Sequence, residues 1–105
     1  MGFAAALEEV GKVGTYGADK YTPNGWEFVP NGIGRYTDAM FRHLLAERKE
    51  NRDAATGLLH AAQAAWNALA RLELMLREYA DKDALPSQEY QITTADYCER
   101  YNNGG

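Results

Sequence analysis

The run from Thr56 to Ala80 limits this chain more than any other stretch. It holds no proline, its one glycine (Gly57) sits at the start, and Ala and Leu fill much of it. Those are strong helix formers, so the run predicts one long helix. A line of polar residues crosses it: His60, Gln63, Asn67, Arg71 and Glu78. Their separations of three, four, four and seven place all five on one helix face. Leu58, Ala61, Ala62, Ala65, Leu69, Leu72 and Leu76 fill the other faces. A mostly apolar helix is usually buried, so its polar line must meet water, another polar line or a ligand.

The segment before it supplies partners. Arg35 to Glu50 reads as a helix with a broad apolar surface of Tyr36, Ala39, Met40, Phe41 and Leu44. It carries two polar stripes. Arg35, Asp38, Arg42 and Lys49 form one, a solvated face on which Asp38 and Arg42 have the spacing of an i,i+4 ion pair. His43, Glu47 and Glu50 form the other, in line with Tyr36. His43 reads either as a satisfied core histidine or as a functional one. Asn51 to Ala55 is short, which predicts an antiparallel helical hairpin, with Asp53 or Thr56 available to cap the long helix.

Phe3 to Tyr16 predicts a first helix, from the spacing of Phe3, Leu7, Val10 and Val13. Gly11 and Gly14 weaken it by roughly 1 kcal/mol each relative to Ala, while allowing close approach of a backbone or ligand. The helix ends at Gly17 or runs on through Lys20 and Tyr21. Tyr21 to Gly34 reads as a loop, with Pro23, Pro30, Asn24-Gly25 and Asn31-Gly32 as turn signals. Its aromatics Tyr21, Trp26 and Phe28 have two readings: a plug over one end of the bundle, or a wall that stacks on a nucleobase. After Ala80 the pattern fades at Pro86, Ser87 and Gln88, and Thr94 could cap one more short helix through Tyr97 and Tyr101.

The expected architecture is therefore all-α: a small bundle of three main helices plus a short C-terminal helix. It forms a single domain over residues 1–105, with the core in 3–80 and an extension in 81–105. Helical domains this small often complete their cores by self-association, so a homo-oligomer is expected. The formal net charge of −4 lacks the basic footprint of a nucleic-acid binder. A single cysteine, Cys98, excludes an internal disulfide and suits a reducing, cytoplasmic setting. There is no signal-peptide layout and no stretch of membrane-spanning length, so no membrane partner is expected.

No phosphate loop, cysteine pair or Gly-x-Ser-x-Gly is present. What remains is a set of carboxylates and imidazoles on a helical hairpin. Glu47, Glu50 and Asp53 fall at successive helical turns, if the helix reaches that far, and carboxylates so arranged can hold Mg²⁺, a hard ion that prefers oxygen. Arg35, Arg42, Lys12 or Lys20 could clamp a phosphate. Gln63 and Asn67 could read a base edge or a ribose.

The chain resembles the N-terminal domain of phage dATP/dGTP diphosphohydrolases, relatives of the MazG-like all-α nucleotide pyrophosphohydrolases. The likeness rests on VGKVGTYGADKYTPNGW, RYTDAMFRHLLA, ENRDAATGLLH and AAWNALARLEL. It implies Mg²⁺-dependent cleavage of a purine deoxynucleoside triphosphate to the monophosphate and pyrophosphate. It makes Glu50 and Asp53 the counterpart of a Glu-x-x-Asp metal motif, with His43, Asp38 and His60 near the metal or the phosphates. Lys20, Tyr21, Trp26, Arg35, Arg42, Gln63 and Asn67 complete the implied ligand-binding set. The chain departs from the family at Gln63, where a second histidine is common, and has only Glu8-Glu9 of the Glu-Glu-x-x-Glu arrangement. Three roles stay open: an enzyme; a module that binds a nucleotide or cyclic-nucleotide immune signal without cutting it, as a phage anti-defence sponge would; and a bundle with no ligand.

Overall fold

The computed structural model of the chain describes residues 2–20, 22 and 24–81. Within them lie three helices: α1, Ala4–Lys20; α2, Gly32–Ala46; and α3, His60–Asp81. A single 3-10 turn, Gly25–Phe28, interrupts the first connection. No strand occurs among the described residues, so the all-α expectation holds. The short helix expected from Thr94, and the tyrosine-rich extension around it, lie outside the described residues.

The helix boundaries follow from local chemistry. α1 takes the longer of the two expected courses, through Gly17 to Lys20. α2 begins three residues earlier than expected, at Gly32, because Asn31 adopts a left-handed conformation (φ 54°) and its carbonyl accepts the Arg35 N–H at 3.0 Å. Asparagine tolerates that region better than most residues, and the first-turn N–H groups have no intrahelical partner to lose. α2 also ends earlier, at Ala46, where Lys49 and Glu50 N–H both donate to the Ala46 carbonyl. Glu50 and Asp53 therefore do not share a helical turn.

α3 starts at His60 rather than Thr56, because the intervening side chains bond to their own turn. Asp53 Oδ1 accepts the Ala55 N–H at 2.9 Å, and Thr56 Oγ1 accepts the Leu58 N–H at 3.1 Å. Such local bonds compete with helix formation. Gly57 supplies the left-handed residue that this turn needs, at φ 75°.

α2 and α3 form the expected antiparallel hairpin. His43 meets His60 at the connected end, Thr37 meets Arg71 midway, and Gly32 lies against Leu74 at the far end. α1 packs on α3 less extensively than α2 does.

Of the courses open to the polar line of α3, it takes the covered one, and the departure from expectation lies in the leucines. On that line His60 is 5% exposed, Gln63 8% and Asn67 7%. Ala62, Ala64 and Ala70 are the buried apolar residues, whereas Leu69 (51%) and Leu72 (49%) stay open to solvent, as does Leu76. The cause is the packing of α2 along the polar line. Arg71 Nε donates to Thr37 Oγ1 at 2.7 Å, and the Thr37 hydroxyl donates to the Ile33 carbonyl at 2.7 Å. Arg71 and Thr37 thus satisfy each other across the two helices, as buried polar groups generally do.

Candidate functional site

The connected end of the hairpin gathers three groups able to ligate an ion or move a proton. His43 comes from the last turn of α2, His60 opens α3, and Asp53 sits in the loop between them. The backbone locks that loop. Asp53 N–H donates to Leu58 O at 2.8 Å, Gly57 N–H to Asp53 O at 2.7 Å, and His60 N–H to Asn51 O at 2.9 Å. Arg52 and Leu59 pair as an antiparallel bridge, and Arg52 Nη1 donates to Gly57 O at 2.8 Å. One ligand atom from each of His43, Asp53 and His60 lies within 4.8 Å of the other two.

The two imidazoles touch. Their Nδ1 atoms are 3.0 Å apart, and the ring centroids 5.2 Å apart. One Nδ1 must carry the proton and the other accept it. Burial, the neighbouring His60 and, less strongly, Arg42 push the His43 imidazole below its ordinary value of 6.5, against an upward pull from Asp53. His43 is therefore neutral near pH 7 and keeps a lone pair. His60 Nε2 is buried with no hydrogen-bond partner among the described residues. A buried orphan of this kind costs about 1–3 kcal/mol.

The other expected site residues distribute as follows. Gln63 and Asn67 lie on the same buried seam; Asn67 Nδ2 is tied to the Gln63 carbonyl at 2.8 Å, and Gln63 Nε2 reaches the Leu58 carbonyl at 3.5 Å. Glu47, half-buried, and Glu50, exposed, are not part of the three-residue group. Arg35, Asp38 and Arg42 are exposed on α2, and Asp38 and Arg42 form no ion pair among the described residues. Tyr21 and the side chain of Lys20 lie outside the described residues.

Trp26 packs away from this end. It meets Trp66 edge-on at 6.2 Å, and Tyr36 meets Trp66 at 5.6 Å, also edge-on. Tyr36 Oη donates to the Trp26 carbonyl at 2.7 Å, and the Arg77 guanidinium lies 5.3 Å from the Trp26 ring centre. Trp26 thus packs onto the bundle through Trp66 and Tyr36, while Phe28 is exposed. An open groove of about 420 Å³ runs between α1 and α3, lined by Val10, Gly14, Trp26, Trp66, Leu69 and Leu76. None of His43, Asp53 and His60 lines it.

The direct imidazole contact was not foreseeable from spacing, because the loop conformation decides it. Thr37 was missed as the partner of Arg71; a threonine four residues after Ile33 carries no signal of a cross-helix role.

No helix among the described residues is long and apolar enough to cross a membrane. Comparison with curated proteins and with solved structures finds no match. Comparison with protein families matches residues 2–84 to the description dATP/dGTP diphosphohydrolase, N-terminal. That span covers most of the chain, includes α1, α2, α3 and the whole imidazole–carboxylate cluster, and so the chain belongs to the dATP/dGTP diphosphohydrolase N-terminal domain family.

Proposed function

We propose that this chain hydrolyses a purine (deoxy)nucleoside triphosphate to the monophosphate and pyrophosphate, at the connected end of the α2–α3 hairpin. The observation that carries this reading is the convergence of His43, Asp53 and His60 in a chain whose family is described by that activity. In the proposed reaction water attacks the α-phosphorus, the bond from that phosphorus to the α,β-bridging oxygen breaks, and pyrophosphate leaves. His43, neutral and half-buried, is the residue suited to take the proton from the attacking water. Asp53 holds a compensating negative charge beside the imidazolium that forms. Arg42, close enough to depress the His43 imidazole, is suited to meet phosphate oxygens.

The expected metal was Mg²⁺ on Glu47, Glu50 and Asp53. The donors that converge are two nitrogens and one carboxylate, and Mg²⁺ takes oxygen ligands in a near-ideal octahedron. The fit is poor, and no step above depends on that ion.

A second reading is binding without cleavage, in which the chain sequesters a nucleotide or cyclic-nucleotide signal. Two observations favour it: Gln63 stands where a further imidazole is common, and Glu9 of the Glu8-Glu9 pair is engaged by Lys12 at 2.9 Å. In either reading the chain acts in the cytoplasm of an infected or lysogenic cell, and as a homo-oligomer. The exposed Leu69, Leu72 and Leu76 on α3, with Phe3 and Leu7 at the start of the chain, are apolar surface that a second copy would cover.

One experiment separates the readings. The protein is incubated with purine and pyrimidine (deoxy)nucleoside triphosphates and with cyclic nucleotides, with and without divalent ions; released pyrophosphate and protein-bound ligand are both measured. Pyrophosphate release that depends on His43 supports hydrolysis. Intact ligand recovered after heat denaturation supports binding alone. Neither product nor bound ligand would remove both.

A further inference from the structure

We propose that His43, Asp53 and His60 form a binding site for a late first-row transition-metal ion of the Zn²⁺ or Co²⁺ class, in preference to Mg²⁺. The inference concerns the ion alone and stands whether or not a nucleotide is cut; an ion on His43 takes the lone pair that would otherwise accept the proton of water, so the two roles of His43 are alternatives.

The donor chemistry comes first. Imidazole suits zinc, copper, iron and nickel, whereas carboxylate, carbonyl and water suit magnesium and calcium. Two of the three converging groups are imidazoles, and the chain contains no others, since both of its histidines lie in this cluster.

Geometry comes second. Two nitrogens bound to one ion at the usual Zn–N length stand about 2.9–3.4 Å apart, for bond angles between the octahedral and tetrahedral values. The two Nδ1 atoms are 3.0 Å apart. Asp53 adds a negatively charged ligand within 4.8 Å of both rings. In the absence of an ion, one proton between the two Nδ1 atoms accounts for their contact. His60 Nε2, the ring nitrogen on the other side, is buried without a partner among the described residues in either case, so the donor set and the Nδ1 separation carry the inference.

Rigidity comes third. Each ligand hangs from a fixed element: the last turn of α2, the first turn of α3, and a loop closed by the Asp53–Leu58 and His60–Asn51 hydrogen bonds. The two Nδ1 atoms already stand at ligand spacing, and Asp53 closes on them by turning its side chain on a fixed backbone. Three protein ligands leave at least one coordination position for water or a phosphate oxygen, the pattern of reactive rather than closed structural zinc sites.

The test uses the full chain carrying Cys98→Ser, which removes the one thiol that could compete for the same ions. The protein is stripped with a chelator and titrated with Co²⁺, read by its visible d–d absorption, and with Zn²⁺ by competition. Saturable binding at one ion per chain is expected. Zn²⁺ should raise the thermal midpoint at a concentration where Mg²⁺ leaves it unchanged. His43→Asn and Asp53→Asn should each weaken binding by about tenfold or more, with the helical circular dichroism retained. Asp53→Asn keeps an oxygen for the Ala55 N–H, so it decides the matter should His43→Asn fail to fold. Absence of saturable Co²⁺ binding, unchanged affinity in the folded variants, or Mg²⁺ binding as tight as Zn²⁺ would each overturn the proposal.

Discussion

The Nδ1 atoms of His43 and His60 meet at 3.0 Å across the α2–α3 hairpin, although the two residues lie 17 positions apart in the chain. Their contact brings the only two imidazoles of the protein beside the Asp53 carboxylate, in a loop held by its own backbone. Several expectations about function and stability depend on that arrangement or on the seam that continues from it.

Asp53 separates a structural from a chemical role. Its Oδ1 holds the Ala55 N–H, a bond that an asparagine oxygen can also make. Asp53→Asn should therefore cost less than about 1 kcal/mol in urea unfolding. The same change removes the charge beside both histidines and should abolish nucleotide turnover. A large stability loss with activity retained per folded molecule would make Asp53 a loop-forming residue and nothing more.

The polar seam should contribute measurable stability through Arg71. Its Nε donates to Thr37 Oγ1 at 2.7 Å, and hydrogen bonds to charged groups contribute about 1.5–3 kcal/mol. Arg71→Met should lose an amount in that range. A double-mutant cycle with Thr37→Val isolates the pair, and a coupling energy near zero would show that the two groups act independently.

Leu72 and Leu76 test self-association. Both are substantially exposed on α3, so neither contributes much core packing within one chain. Replacing both with Glu should shift the mass measured by light scattering to that of a single chain, with helix content unchanged. An identical mass for the original and the variant would place any oligomer contact elsewhere.

Two glycines of α1 should respond oppositely. Nothing lies within 4 Å of a Cβ added at Gly11, so Gly11→Ala should gain about 0.5–1 kcal/mol by reducing backbone entropy. A Cβ at Gly14 would stand 3.4 Å from Trp66 Nε1, leaving no room for branches beyond it. Gly14→Leu should push α1 off α3 and lower the thermal midpoint. Equal gains at both positions would mean that α1 is not seated on Trp66.

Tyr36 sets a limit at alkaline pH. Burial raises its phenol above the ordinary 10.0, with Arg35 pulling the other way. The fold therefore favours the protonated form. That contribution is present below pH 10.0 and is lost as pH rises through the raised value, because the unfolded chain releases its proton first. Tyr36→Phe should flatten the alkaline fall in stability, measured as urea midpoint against pH. It also removes the hydrogen bond to the Trp26 carbonyl, at about 0.5–1.5 kcal/mol.

The sequence by itself determined the helices and the grouping of residues on their faces. Both depend on a 3.6-residue period that is local and readable, which is why His60, Gln63 and Asn67 could be placed on one side of α3 before any coordinates. Family membership was legible for the same reason, through ordered motifs within residues 2–84. Which face would be buried was decided only by tertiary packing. α2 covers the polar line and leaves Leu69 and Leu72 open, because a face has no preferred partner until another helix is fixed against it. The three-residue cluster was decided by the loop from Glu47 to Leu59. There Asp53 and Thr56 bond to their own backbone instead of capping α3, and the resulting turn selects Asp53, rather than Glu47 or Glu50, as the carboxylate that reaches the two imidazoles.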